Sequence, residues 1–127
     1  MIDVNNENIS SLALAYLGDS IYEVYVRTFL INKGICKMKE FQEEAIKYVS
    51  AKNQVMFLNE MLDNNFFTED ELNIIYRARN QKSNHKPKNT DIITYKYSTG
   101  FEALIGYLYV NKNESRLNEI MEYIFRR

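Results

Sequence analysis

The chain has 127 residues, 46% of them hydrophobic, with 16 basic and 17 acidic side chains, one histidine and a formal net charge of −1. That size and apolar content suit one compact domain rather than two, and a single cysteine, Cys36, excludes an intramolecular disulfide framework and fits a reducing compartment. A near-neutral charge excludes a binder that is basic over its whole surface; MIDVNNENIS lacks the regions of a signal peptide, and Asp, Glu or Arg breaks every long apolar run, so a soluble, cytoplasmic protein without a membrane span is expected.

Few glycines, one proline and no sustained period-two alternation predict an all-α protein with five main helices. The first starts near Ser10 or Ser11, either of which can cap it, and runs to about Asn32, where Lys33-Gly34 ends it. A second spans about Met38 to Asp63, and Ser50, next to Val49, is placed to cap a fresh start should the helix break there. A third opens with the capping-box pattern Thr68-Glu69-Asp70-Glu71 and continues to about Asn80. The polar stretch QKSNHKPKN, residues 81–89, reads as a loop. A fourth helix begins at Thr90-Asp91 and runs to about Val110, and a fifth covers about Glu114 to Phe125. No repeat, low-complexity tract or linker divides the chain, so residues 1–127 are read as a single domain.

The first helix is apolar around most of its circumference: Leu12, Leu14, Leu17, Ile21, Val24, Tyr25 and Phe29 cannot all face one neighbour. Such a helix is central, or faces the core on one side and a partner on the other, and in a short chain the second option suggests a homodimer. Tyr16, Tyr22, Tyr25, Tyr107 and Tyr109 read as core or interface residues rather than stacking platforms. Asp19 lies inside this run, in LALAYLGDSIYEVYVRTFL. A carboxylate buried there needs a compensating partner.

The fourth helix repeats the oddity. In FEALIGYLYV, residues 101–110, Glu102 is the only charge. Thr99, Glu102, Ala103 and Gly106 form one stripe, and Ala15, Gly18, Asp19 and Tyr22 form a matching stripe on the first helix. Small residues let helix backbones approach, so the two helices are predicted to pack near Gly18 and Gly106 and to bring Asp19 and Glu102 together. Two readings stay open on spacing alone. The carboxylates hold a hard divalent cation, Mg2+ with Mn2+ as a substitute, or they are partly exposed, hydrogen-bonded acids. No Cys/His cluster suggests zinc.

Charge is segregated along the chain. Arg77, Arg79, Lys82, Lys86, Lys88 and Lys96 face one acid, Asp91, in their segment, whereas residues 37–75 carry four basic and eight acidic side chains. The basic segment is either a solvated loop or a field that phosphates follow.

LGDSIYE, residues 17–23, resembles the signature helix of the ribonuclease III catalytic domain, and FEALIGYLYV resembles that family's second acidic motif. YVSAKNQVMFLNEML, YRARNQKSNHKPKN and YKYSTGFEALIGYLY resemble more specifically its Mini-ribonuclease III branch, and the similarity runs from about Leu12 to about Tyr123. The resemblance implies an all-helical, homodimeric endoribonuclease that cuts double-stranded RNA with Mg2+, leaving 5′-phosphate and 3′-hydroxyl ends. It also implies a catalytic domain without the double-stranded-RNA-binding domain, acting in maturation of large-subunit ribosomal RNA precursors.

By the same resemblance Asp19 and Glu102 are the catalytic, metal-binding acids. Larger family members carry further acids where this chain has Ala15 and Thr99, which leaves fewer protein ligands per ion. Thr99 has a hydroxyl to offer. Glu23 is either a further ligand or the i,i+4 partner of Arg27. Without an accessory domain the phosphate contacts fall to Arg77, Arg79, Asn80, Lys82, Lys86 and Lys88, with Arg77 alternatively buried in an ion pair. His85 reads as an exposed loop residue rather than a general base. A catalytically silent helical RNA-binding protein on the same scaffold and a helical protein-interaction dimer are the competing readings; RNA affinity that falls steeply with salt separates the two.

Overall fold

A computed structural model describes residues 9–82 and 90–126. Six helices make up the described residues: α1 (Ser11–Asn32), α2 (Met38–Val49), α3 (Ala51–Asp63), α4 (Glu69–Arg79), α5 (Ile92–Val110) and α6 (Glu114–Phe125). The all-α expectation holds. The one departure from five helices is the break at Ser50, whose extended backbone ends α2 and whose side chain accepts from Asn53 N to start α3.

The predicted caps act where the sequence puts them. Ser10 accepts from Ala13 N, Thr68 and Glu71 form a reciprocal capping box, and Asp91 accepts from Thr94 N. Each satisfies a first-turn amide that has no partner inside its own helix. Beyond α1, Gly34 takes a φ of +97°, the left-handed conformation that lets the chain turn away, and donates to Ile31 O.

α5 is the axis of the fold. Phe101, Leu104, Ile105 and Leu108 are buried among Tyr22, Val26 and Leu30 of α1, Phe57, Leu58 and Met61 of α3, Ile75 of α4 and Leu117, Ile120 and Ile124 of α6. The edge of the Tyr22 ring packs against Phe101, with ring centroids 5.3 Å apart. The Tyr22 hydroxyl donates to Tyr48 O at 2.8 Å, which ties α1 to the end of α2; burial pushes this phenol well above its usual range.

α1 and α5 cross almost backbone to backbone. A methyl group on Gly18 would collide with the Glu102 carbonyl oxygen and lie 2.9 Å from Gly106 N; one on Gly106 would collide with the Leu14 carbonyl oxygen and lie 3.2 Å from Gly18 N. The crossing predicted from the two small-residue stripes is therefore present, with Ala15 and Ala103 buried beside it.

The opposite side of α1 is not covered. Leu12, Tyr16, Val24 and Ile31 are exposed, Tyr16 by 83%, while Tyr22 on the inner side is fully buried. Of the other tyrosines read as core or interface, Tyr25 and Tyr107 are half-buried and Tyr109 is exposed. Cys36 is an exposed free thiol. Among the described residues no helix is long and apolar enough to cross a membrane.

Candidate active site

Asp19 follows Gly18 on α1, and Glu102 stands one turn before Gly106 on α5, so the glycine crossing sets the distance between their backbones. Their carboxyl groups come close enough for Asp19 to raise the affinity of Glu102 for a proton. The burden of burial falls differently from the expectation, however. Asp19 is exposed, and Glu102 is the half-buried member. An apolar run at helical spacing does not say which side of the helix a neighbour covers; α5 covers the Gly18 side and leaves the Asp19 carboxylate facing solvent.

Burial, then the hydrogen bond and charge of Asp19, push the Glu102 carboxyl up to about 9, and the charge of Glu23 adds to this. One side chain works in the other direction. Gln54, on the first turns of α3 and only 2% exposed, brings Nε2 within 3.5 Å of Glu102 Oε2 and lowers its affinity for a proton. The net effect favours the protonated form of Glu102, as when one acid is buried beside another. Among the described residues no Lys, Arg or His forms an ion pair with Glu102.

The remaining candidates divide. Glu23 is paired with Arg27 at 2.8 Å, the simpler of its two roles, although its charge still reaches Glu102. Thr99 is buried and its hydroxyl donates to Tyr95 O at 2.9 Å, so only its oxygen lone pairs remain to be offered. Among the described residues no group of three His, Cys, Asp or Glu side chains is suited to hold a metal. The protein's own contribution is a pair. Two convergent oxygen acids fit magnesium or manganese, hard ions commonly held by one or two carboxylates with other oxygens completing the sphere.

On the basic side Arg77 is exposed, not buried in an ion pair, and Asn80 and Lys82 are exposed as well. Arg79 is engaged. Its guanidinium lies 4.5 Å from the centre of the Tyr76 ring and 5.3 Å from that of Tyr97, and it donates to the Tyr97 hydroxyl and to Asn80 Oδ1. It fixes the end of α4 against α5 as much as it presents charge. Lys86, Lys88 and His85 lie outside the described residues.

Sequence reading missed Gln54 altogether. A glutamine inside a helix carries no special signal, and only the packing of α3 against α5 brings it to Glu102. It also missed the pairing of Glu71 with Arg116. The guanidinium meets both carboxylate oxygens at 2.8 and 2.9 Å, donates to Phe66 O at 2.7 Å and lies over the Phe66 ring.

The Ribonuclease III domain family model matches residues 12–113. The chain is 44% identical over its whole length to the Mini-ribonuclease 3 of Streptococcus pneumoniae, covering 98% of that protein. It is 46% identical over 114 residues to that of Brevibacillus brevis, 90% of this chain and 84% of the relative, and 41% identical over 116 residues to that of Staphylococcus aureus, 91% and 87%. A crystal structure of a Fusobacterium nucleatum protein superimposes with a TM-score of 0.83 at 28% identity, covering 94% of each chain. The match spans both acid-bearing helices and the crossing between them, and the chain belongs to the ribonuclease III family of endoribonucleases, beside the Mini-ribonuclease 3 proteins.

Proposed function

We propose that this endoribonuclease hydrolyses phosphodiester bonds in double-stranded RNA with magnesium held by Asp19 and Glu102, manganese substituting, and that it matures large-subunit ribosomal RNA precursors. The observation that carries the metal assignment is the approach of these two carboxyls at the glycine crossing, with no Lys, Arg or His paired to Glu102 among the described residues. When bound, the divalent ion supplies polarisation of a phosphoryl oxygen and a lowered pKa for the attacking water.

The residues of the chain have distinct tasks. Asp19, exposed, presents a carboxylate at the surface where a duplex arrives. Glu102 would hold the ion as a carboxylate, so cation binding would release protons and strengthen as pH rises. Thr99 and Glu23 stand beside the pair as secondary oxygens, Thr99 through its lone pairs and Glu23 if it leaves Arg27. With alanine at position 15, the chain itself would supply fewer oxygens to the ion, leaving room for water and RNA oxygens. Cleavage leaves 5′-phosphate and 3′-hydroxyl ends.

Arg77, Arg79, Asn80, Lys82, Lys86 and Lys88 contact phosphates and 2′-hydroxyls of the A-form duplex, whose shape rather than sequence is available to such side chains. The uncovered stripe of Leu12, Tyr16, Val24 and Ile31 on α1 supports a homodimer in which two sites face one duplex.

The test is cleavage of a long RNA duplex with magnesium by the wild type, Asp19→Asn and Glu102→Gln. The wild type alone is expected to cut. Equal cleavage by all three assigns the activity to a contaminant, and duplex binding without cleavage by the wild type replaces the proposal with a silent RNA-binding protein.

A further inference from the structure

Gln54 is poorly satisfied for a buried polar side chain. Its Nε2 donates to Val49 O at 3.1 Å and lies 3.5 Å from Glu102 Oε2, while its Oε1 is buried without a hydrogen-bond partner. The amide cannot rotate out of this. A carbonyl only accepts, so the NH2 must face Val49, and the oxygen is left where no donor reaches it. Native proteins satisfy most buried polar atoms, and an exception calls for an explanation beyond packing. A methionine of similar volume would fill the same space and remove the unpaired acceptor, losing in exchange the bond to the Val49 carbonyl.

The location supplies the explanation. Val49 is the last residue of α2, so its carbonyl has no acceptor role inside that helix and is free to anchor a side chain. The preceding carbonyl, of Tyr48, is likewise used by Tyr22 of α1. The joint between α2 and α3 is thus fixed to α1 by Tyr22, and Gln54 extends the same anchorage to the acid on α5. Glu102 is held by its backbone at the glycine crossing and by Gln54 at its carboxylate.

We propose that Gln54 is a positioning residue for Glu102: its carboxamide, anchored on the Val49 carbonyl, holds Glu102 Oε2 in the orientation required by a cation shared with Asp19. This rests on the reading of Asp19 and Glu102 as metal ligands. The neutral amide suits the task because it donates to a carboxylate without adding a positive charge that would compete with the ion. The unpaired Oε1 is the stability cost of an arrangement kept for binding.

The test is titration of the protein with Mn2+ alone, no RNA present, followed by loss of the free-ion electron paramagnetic resonance signal, for the wild type, Asp19→Asn and Gln54→Met. Thermal unfolding without metal is measured in parallel. Gln54→Met is expected to melt close to the wild-type temperature, since removal of an unpaired acceptor offsets the lost bond to the Val49 carbonyl, and yet to bind Mn2+ about 10- to 100-fold more weakly, as loss of groups that orient metal ligands commonly does. Affinity within twofold of wild type, with Asp19→Asn still defective, overturns the role of Gln54 and leaves the metal site standing. Weak binding together with a melting temperature lowered by clearly more than the few degrees that one lost hydrogen bond costs makes Gln54 a structural residue and also overturns it. Equal Mn2+ binding by the wild type and Asp19→Asn removes the metal reading itself, and the inference with it. A measurement on the wild type alone covers a Gln54→Met variant that does not fold: the Gln54 side-chain NH2 resonances are expected to move as Mg2+ is added, and their constancy overturns the proposal.

Discussion

Glu71 and Glu102 are both acids withdrawn from water, and the fold answers them in opposite ways. Burial works against the charge on Glu71, but the Arg116 guanidinium and the Thr68 hydrogen bonds outweigh it and hold its carboxyl below the usual carboxylate range; Glu71 in turn raises the affinity of Arg116 for its proton. Glu102 meets another acid and an amide, and its carboxyl is driven up to about 9. The same chain can therefore neutralise a buried carboxylate with its own arginine, and at the α1/α5 crossing it does not. A paired acid serves the fold, whereas an acid held beside another acid, with no cation paired to it among the described residues, suits the proposed metal site, where a ligand brings the charge.

The comparison breaks most sharply on activity. Asp19→Asn and Glu102→Gln are expected to reduce duplex cleavage to the level of a no-enzyme control while both proteins remain folded by circular dichroism. Arg116→Met should instead leave kcat/KM unchanged at a temperature where the variant is folded.

Gly18→Ala tests the crossing itself. Its methyl group would collide with the backbone that carries Glu102, so the helices must separate, with a loss of about 3 kcal/mol or more in urea unfolding and a fall in cleavage. A Gly18→Ala protein of wild-type stability would show that the crossing is looser than described.

Arg116→Met leaves Glu71 buried without its cation. Breaking such a pair costs about 3 kcal/mol, equivalent to roughly 10 °C in melting temperature for a domain of this size. A drop of only a degree or two would place the pair among those that contribute little.

The two acids also predict opposite pH responses of the metal-free protein. The folded pKa of Glu71 lies below its unfolded value, so its contribution is present above about pH 4.5 and lost as pH falls through the folded pKa. The folded pKa of Glu102 lies above its unfolded value, so the folded state retains a proton that the unfolded chain releases. Its contribution is complete below about pH 4.5 and is lost as pH rises through about 9. Stability of the metal-free wild type should fall as pH rises across that window, Glu102→Gln should flatten the fall, and magnesium should offset it by binding the folded state. Calorimetry between pH 5 and 9 checks all three.

The smallest effect extends the contrast to cations. Arg116 is committed to the fold, whereas Lys82 is exposed. Lys82→Ala should leave the melting temperature alone and reduce the slope of log affinity for duplex RNA against log salt by about one. An unchanged slope would take Lys82 out of the RNA interface.

Much of this arrangement was legible along the chain because local chemistry decides it. Ser10, Ser50, Thr68 and Asp91 cap helices through bonds that reach only three residues ahead, so their positions can be read without knowing the fold. The stripes containing Gly18 and Gly106 also gave away the crossing, since a tight helix pair needs missing side chains on both partners. Gly100, whose added methyl would lie 2.7 Å from Ile75 O, is a second close approach, between α4 and α5, that no matching small residue announces.

The sequence by itself determined the helical segments apart from the α2/α3 break, their caps, the α1/α5 contact and the approach of Asp19 to Glu102. Tertiary structure decided which acid is buried, which arginine is committed to the fold, and that a glutamine 48 residues before Glu102 in the chain reaches its carboxylate. The physical reason is range. Caps and periodicity act within a turn or two of one helix, whereas desolvation and long-range hydrogen bonds depend on which faces of different helices end up opposed, and an apolar run such as α1 is compatible with more than one choice of buried face.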